Sequence, residues 1–378
     1  MQLNCIQELI EALRHGEMVV LTDDDGDSEG VLLMAAEQVD AEAINFMALH
    51  ARGLICLALT EARCQALGLS LMMPSSRSAN GAGFTVSIEA AVGVTTGISA
   101  EDRARSVQVA VDPASRPSDL VQPGHIFPVQ ALPGGVMNRA GHAEAASDLT
   151  RLAGLLPAAV MVGILNDEGD VARGTELHQF ALEHDLKIGS IAELIHYRIL
   201  HESTIRRSAE QVLNTRHGPF RVLAYRDEYR GQLHLALLKG QVSRERPTLV
   251  RVQTVETLRD LLNVEAPVGA SHWSLDRALA RVAAEGCGVV VLLAQQESPE
   301  MLLQQLLQED YKPRVVNFPQ RTLGIGAQIL RDLDVRQMRL LSAPVAYKAV
   351  SGFELEVVEF VSYRHNPVDD SQPVEIPA

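Results

Sequence analysis

Cationic charge, cysteine, aromatic side chains and long apolar runs are all scarce in this chain of 378 residues, and each shortage excludes something. With 33 Lys+Arg against 48 Asp+Glu, the formal charge of −15 argues against a nucleic-acid partner and against general attraction to an anionic membrane face. It leaves room for a local basic pocket sized for one phosphate. The four cysteines, Cys5, Cys56, Cys64 and Cys287, form no C-x-x-C pair and no Cys/His cluster at zinc spacing, so neither a disulfide framework nor a structural zinc is expected. Aromatics at 4%, with a single Trp, do not furnish a stacking platform for bases. The longest apolar stretches, such as 288–294, fall far short of the roughly 20 residues that a membrane span needs. Met1 to Arg14 mixes Gln, Glu and Arg with Ile and Leu and lacks a basic start followed by a continuous apolar block. The expectation is a cytoplasmic protein with no membrane partner.

Length and a 47% hydrophobic content support two domains, each with its own core. Ile6, Leu9, Ile10 and Leu13 recur at helical spacing, and Gly16 follows as a C-terminal cap. Met18 to Leu21 reads as a strand running into the polar loop Thr22-Asp23-Asp24-Asp25-Gly26-Asp27-Ser28-Glu29-Gly30, and Val31 to Glu37 as an apolar, helix-compatible stretch. Phe84 to Ile88 reads as a strand, Gly93 to Gly97 as a turn or phosphate-sized loop, Ala100 to Val107 as a helix, and Ala158 to Leu165 as a buried strand. Residues 199–216, rich in Arg, Glu and Ser, read as a helical or partly flexible connector. Strands at Phe220–Tyr225, His234–Leu238, Leu249–Val252 and Val289–Ala294, with a helix at Asp276–Glu285, then make a second half. The fold class expected is α/β (α+β), a mixed-sheet domain followed by a second α/β domain.

Three constellations could carry chemistry. The acidic loop offers Asp23, Asp25, Asp27 and Glu29, hard oxygen ligands for Mg²⁺, Mn²⁺ or Ca²⁺, or else a solvated acidic turn. It is not an EF-hand: counting from Asp23, the turn glycine falls on Ser28 and the bidentate glutamate on Met34. Arg139-Ala140-Gly141-His142 precedes an alanine-rich helical run, where backbone N–H groups and Arg139 suit a phosphate and His142 suits a metal or a proton; on spacing alone, a capping turn with a surface histidine is the favoured reading. His125 and Cys56 are ambiguous, and a Cys between apolar neighbours is usually core. Gly324-Ile325-Gly326 lacks the third glycine and the βαβ setting of a dinucleotide site.

Many ordered segments carry a resemblance. Ala43 to Met47 (AINFM), Arg52 to Cys56 (RGLIC), Phe84 to Glu89 (FTVSIE), Gly93 to Arg103 (GVTTGISAEDR), Pro123 to Pro128 (PGHIFP), Arg139 to Ala145 (RAGHAEA) and Lys187 to Arg198 (KIGSIAELIHYR) resemble 3,4-dihydroxy-2-butanone-4-phosphate synthase of riboflavin biosynthesis, over residues 1–200. Residues 208–363 resemble the GTP cyclohydrolase II domain fused behind it, through His234 to Gly240, Thr248 to Val252, Gly324 to Leu330 and Gly352 to Val358. Residues 364–378 read as a disordered tail. The cyclohydrolase motifs do not match: Gln253 to Ala270 holds none of the family's zinc cysteines, and the Gln-Glu-Gly-Arg-Gly segment is replaced near Gln295 to Pro299. Without zinc nothing activates the hydrolytic water, so no GTP cyclohydrolase activity is expected.

For the synthase half, the resemblance implies a sugar-phosphate substrate, ribulose 5-phosphate, with Mg²⁺ (or Mn²⁺) as cofactor, and a homodimer with sites near the subunit interface. By motif matching, Asp27 and His142 fall on the metal ligands, His125, Glu29 and Cys56 on catalytic positions, and Asp23, Arg139 and Gly141 on substrate-binding ones. Several matches are altered: the metal-ligand glutamate is the shorter Asp27, the loop arginine is Gly26, the loop's last aspartate is Val31, the threonine after His142 is Ala143, and the essential glutamate falls on Gly163. A Gly-Thr before the Phe-Thr-Val-Ser strand becomes Gly81-Ala82. Because these changes gather at chemistry-bearing positions, the expectation is a standard reaction impaired or altered. The alternative is a working synthase in which Asp27, Glu29, His125 and His142 suffice, with Asp25 or Glu168 reaching the place of a lost carboxylate.

Overall fold

A computed structural model describes residues 3–23, 29–73, 83–229, 231–262, 264, 273–294, 297–307, 320–342 and 355–363. Asp25, Asp27, Gly81-Ala82 and the 364–378 tail lie outside the described residues. Contacts divide the chain into Met1–Arg198 and Ile199–Ala378.

The first unit is a mixed sheet covered on both faces. In chain order it runs α1 (Ile6–Arg14), β1 (Val19–Thr22), β2 (Gly30–Ala35), α2 (Ala41–Phe46), β3 (Arg52–Thr60), α3 (Glu61–Ala66), β4 (Gly83–Phe84), β5 (Ile88–Ala90), α4 (Ala100–Val111), β6 (Leu120–Ala131), α5 (His142–Leu152), β7 (Ala159–Ile164), α6 (Thr175–Glu183), β8 (Lys187–Ser190) and α7 (Ile191–His201). The strand order is β4-β6-β3-β7-β2-β1-β8, with β5 beside β6. α1 forms as its spacing predicts, burying Ile6, Leu9, Ile10 and Leu13 and ending before Gly16, whose φ of +81° suits glycine.

The sheet separates two cores by the alternation of strand side chains. Leu32, Met34, Leu57, Val160 and Val162 face α2 and α4, while Leu33, Cys56, Ala58 and Met161 face α1 and α5. This corrects the helix-compatible reading of Val31 to Glu37. The segment is strand β2, antiparallel to both β1 and β7, and its run is apolar throughout because both of its faces are buried. Phe84 to Ile88 likewise divides into β4 and β5 rather than one strand.

The second unit carries a seven-stranded sheet in the order β15-β14-β12-β13-β11-β10-β9. Its elements are β9 (Ile205–Thr215), β10 (Gly218–Asp227), β11 (Leu233–Lys239), β12 (Thr248–Thr254), α8 (Leu275–Glu285), β13 (Gly288–Leu293), α9 (Pro299–Leu306), α10 (Gln320–Asp332), β14 (Gln337–Leu340) and β15 (Glu356–Phe360). The expected connector at 199–216 is instead largely β9, antiparallel to β10. Its Arg and Glu mark an edge strand whose side chains are nearly all exposed, and charge on such an edge discourages further pairing. Gly324 and Gly326 fall inside helix α10, which leaves no phosphate-binding turn there.

Candidate active site

The start of α5 overhangs the sheet face that carries Cys56 and Met161, and between them lies a cavity of about 500 Å³. Gly141 is the N-cap of α5 with extended backbone, so His142 is the first helical residue. A Cβ at Gly141 would stand 2.6 Å from Glu144 Oε2, which explains the glycine sterically. Glu144 is buried beneath, where Oε1 accepts from Arg139 Nη2 at 2.6 Å and from the Leu132 N–H at 2.8 Å. A charge-assisted pair of this kind fixes the guanidinium at the pocket wall. Glu144 lies within the Arg139–Ala145 motif, and only its burial reveals its role.

A second buried pair aims the same segment. Asp148 Oδ2 accepts from Arg198 Nη1 at 2.7 Å and from the Val136 N–H at 2.8 Å, and Arg198 also donates to Gly134 O at 2.8 Å. The turn Pro133–Met137 is thereby tied to α5, a few residues before Arg139. Nothing local in the sequence marks Arg198 as the partner of Asp148.

His142 Nε2 is buried, has no hydrogen-bond partner among the described residues, and lies 3.4 Å from Asp23 Oδ1. Burial pushes the imidazole below its ordinary pKa, opposed by Asp23, Glu29 and Glu144. A neutral ring nitrogen beside a carboxylate has the donor chemistry to take a metal ion or to exchange a proton. Among the described residues no group of three His, Cys, Asp or Glu comes together as a metal cluster, and Asp27 is not among them.

The other expected site residues are distributed unevenly. Asp23, Cys56, Arg139, Gly141 and His142 share the pocket. Burial raises the Cys56 thiol to about 12, and it donates to Leu54 O at 3.6 Å, so at neutral pH it is a protonated wall and not a nucleophile. Glu29 forms an ion pair with Arg173 and does not line the pocket, nor does Glu168. His125 also lies off it, with Nδ1 3.1 Å from Glu89 Oε2 and its side chain 42% exposed. The phosphate-sized loop at 93–97 spends its donors internally: Asp102 accepts from Thr95 N, Thr95 Oγ1 and Gly97 N at 2.8–3.1 Å.

In the second unit, the described residues just after β12 form an ion cluster. Asp260 pairs with Arg259 Nη2 at 2.7 Å and accepts from Gln253 Nε2, Glu256 N and Leu275 N, while Arg259 Nη1 stands 3.2 Å from Glu256. Burial would raise the Asp260 carboxyl, but Arg259 and the N–H donors hold it below the usual range. With its lone pairs committed to these donors and a guanidinium already supplying the positive charge, the cluster does not fit zinc.

Comparison with known proteins follows the same division. The profile of the 3,4-dihydroxy-2-butanone 4-phosphate synthase family matches residues 7–197, and that of GTP cyclohydrolase II matches residues 206–362. A Pseudomonas aeruginosa protein named 3,4-dihydroxy-2-butanone 4-phosphate synthase is 53% identical over 365 residues, covering 96% of this chain and 99% of that protein. An Aquifex aeolicus protein named riboflavin biosynthesis protein RibBA is 44% identical, covering 96% and 93%. The crystal structure of RibBX, a two-domain 3,4-dihydroxy-2-butanone 4-phosphate synthase from A. baumannii, matches with a TM-score of 0.77 and 42% identity, over 95% of this chain and 100% of that one. No described helix is long and apolar enough to cross a membrane.

Proposed function

Because the chain belongs to the 3,4-dihydroxy-2-butanone 4-phosphate synthase family, in the form that carries a GTP cyclohydrolase II domain behind the synthase domain, we propose that it converts ribulose 5-phosphate to 3,4-dihydroxy-2-butanone 4-phosphate and formate. The carrying observation is the buried, unpartnered His142 Nε2 facing Asp23 in the pocket that Arg139 borders. Whole-length relatives with the synthase name support this working-enzyme reading over the impaired one. Arg139, held by Glu144, binds the phosphate or a sugar oxygen. His142 and Asp27 would hold Mg²⁺ or Mn²⁺, which when bound polarises the sugar oxygens, and Asp23, 3.4 Å from His142 Nε2, binds the substrate beside them. A homodimer with sites near its subunit interface would bring the half-exposed His125, which does not line the pocket of its own chain, to the partner's site.

The test is production of formate and butanone phosphate from ribulose 5-phosphate. Turnover at an ordinary enzymatic rate is expected with Mg²⁺, abolished by chelation and restored by the metal; none from folded protein sinks the proposal. One observation favours a second reading, in which a sugar phosphate binds but the standard reaction is impaired. A Cβ at Gly163 meets nothing within 4 Å among the described residues, so they leave the place of the family's glutamate open. The same openness makes Gly163→Glu a test of chemistry and not of packing, and turnover by that variant alone, with a gain of about 10²-fold or more, would establish this second reading.

The cyclohydrolase-type unit is proposed to be inactive on GTP, since Gln253 to Ala270 holds none of the family's zinc cysteines and the described carboxylates after β12 are committed to an ion cluster. No formate is expected from GTP even with added Zn²⁺, and metal-dependent release of formate from it would refute this.

A further inference from the structure

Val31 and Gly163, where the family's loop aspartate and essential glutamate fall, are far apart in the chain yet stand directly opposite one another on β2 and β7. Residues so paired share one sheet face with Cβ atoms about 5 Å apart. The face continues across the sheet: Met161 is opposite Cys56, Ala58 is opposite Val129, and Val129 is opposite Phe84. Val31, Gly163, Met161, Cys56, Val129 and Phe84 all line the pocket. Their only polar side-chain group is the Cys56 thiol, whose proton is directed to Leu54 O. The groups that bind oxygen and charge, Asp23, Arg139 and His142, belong to other walls.

We propose that this apolar floor seats a methyl carbon, so that the site prefers phosphorylated methyl ketones, the 1-deoxyketose phosphates, over the matching ketoses with a hydroxymethyl end. The inference rests on the sugar-phosphate reading above and specifies which end of the ligand meets the sheet. A hydroxyl pressed on the floor exchanges water for carbon and finds no partner, whereas a methyl gains contact with Val31 and Met161. The open space over Gly163 accommodates that carbon without displacing any atom of the described residues. The methyl ketone formed in the family's reaction belongs to the favoured class, so the same floor would hold the product side of the reaction.

Calorimetric titration of the full chain with Mg²⁺, using xylulose 5-phosphate and 1-deoxyxylulose 5-phosphate, isolates one hydroxyl. The deoxy compound is expected to bind about tenfold more tightly. Val31→Thr, close to isosteric, and Gly163→Ser, which fills open space, each place a hydroxyl on the floor and are expected to erase most of that preference. Equal affinity, preference for the hydroxymethyl compound, or a preference unmoved in both variants overturns the inference. Failure of both probes while ribulose 5-phosphate still binds overturns it alone. Failure of all three sugar phosphates overturns the sugar-phosphate reading and the inference with it.

Discussion

Replacing His142 with alanine is expected to lower kcat/KM for ribulose 5-phosphate by about 10²- to 10⁴-fold, the range for removing one group that handles protons or charge in a transition state. The loss should fall on chemistry and not on folding. Nε2 makes no hydrogen bond among the described residues, so truncation orphans no described buried partner through it. The residue is the first of α5, where its backbone N–H is not needed by the helix, and alanine is a good helix former. Formate release by the variant, with circular dichroism to establish folding, is the measurement. A folded variant within about threefold of the parent would remove His142 from the reaction and with it the observation on which the proposed function rests.

Arg198→Ala should cost about 3–5 kcal/mol of stability, the penalty for stripping one partner from a buried ion pair. Both side chains are nearly inaccessible, and Asp148 is close-packed besides, since a Cβ at Gly135 would stand 2.2 Å from its Oδ2. Burial already pushes the Asp148 carboxyl above its ordinary value in spite of Arg198. The folded chain therefore holds that proton more tightly than the unfolded one, and the contribution of Asp148 to stability declines as pH rises above the unfolded aspartate value of about 4. Without the guanidinium this dependence should steepen, so the destabilisation should be largest at neutral pH and shrink in acid. Urea unfolding of the parent and variant across that range measures it. A pH-independent difference, or one under about 1 kcal/mol, would show that the pair does not brace the 133–137 turn. Activity should fall along with stability, because the turn leads directly to Arg139.

Much of this protein is legible in its sequence because its signals are local. The α1 spacing, the glycine-punctuated turns, the β12 and β13 runs and the ordered motifs from Ala43 to Arg198 depend on neighbours in the chain, and they suffice for the mixed-sheet fold, the family and the pocket residues Asp23, Arg139, Gly141 and His142. Elsewhere the local signal misleads. Val31 to Ala35 is uniformly apolar, which no period can assign, and it becomes a strand only because β1 and β7 flank it. The charged run at β9 imitates a connector because an edge strand need bury little of itself.

Tertiary structure alone decided which groups meet. Burial of Glu144 holds Arg139 in place, and Glu29 goes to Arg173 and not to the pocket. Arg198 reaches back to Asp148, Arg259 fills the second unit's cluster, and Val31 lies opposite Gly163. Each of these is a matter of sheet register or of a charge finding its counter-charge away from water. Such choices are set by the free energy of burial over the whole domain, and a stretch of sequence read by itself does not contain it.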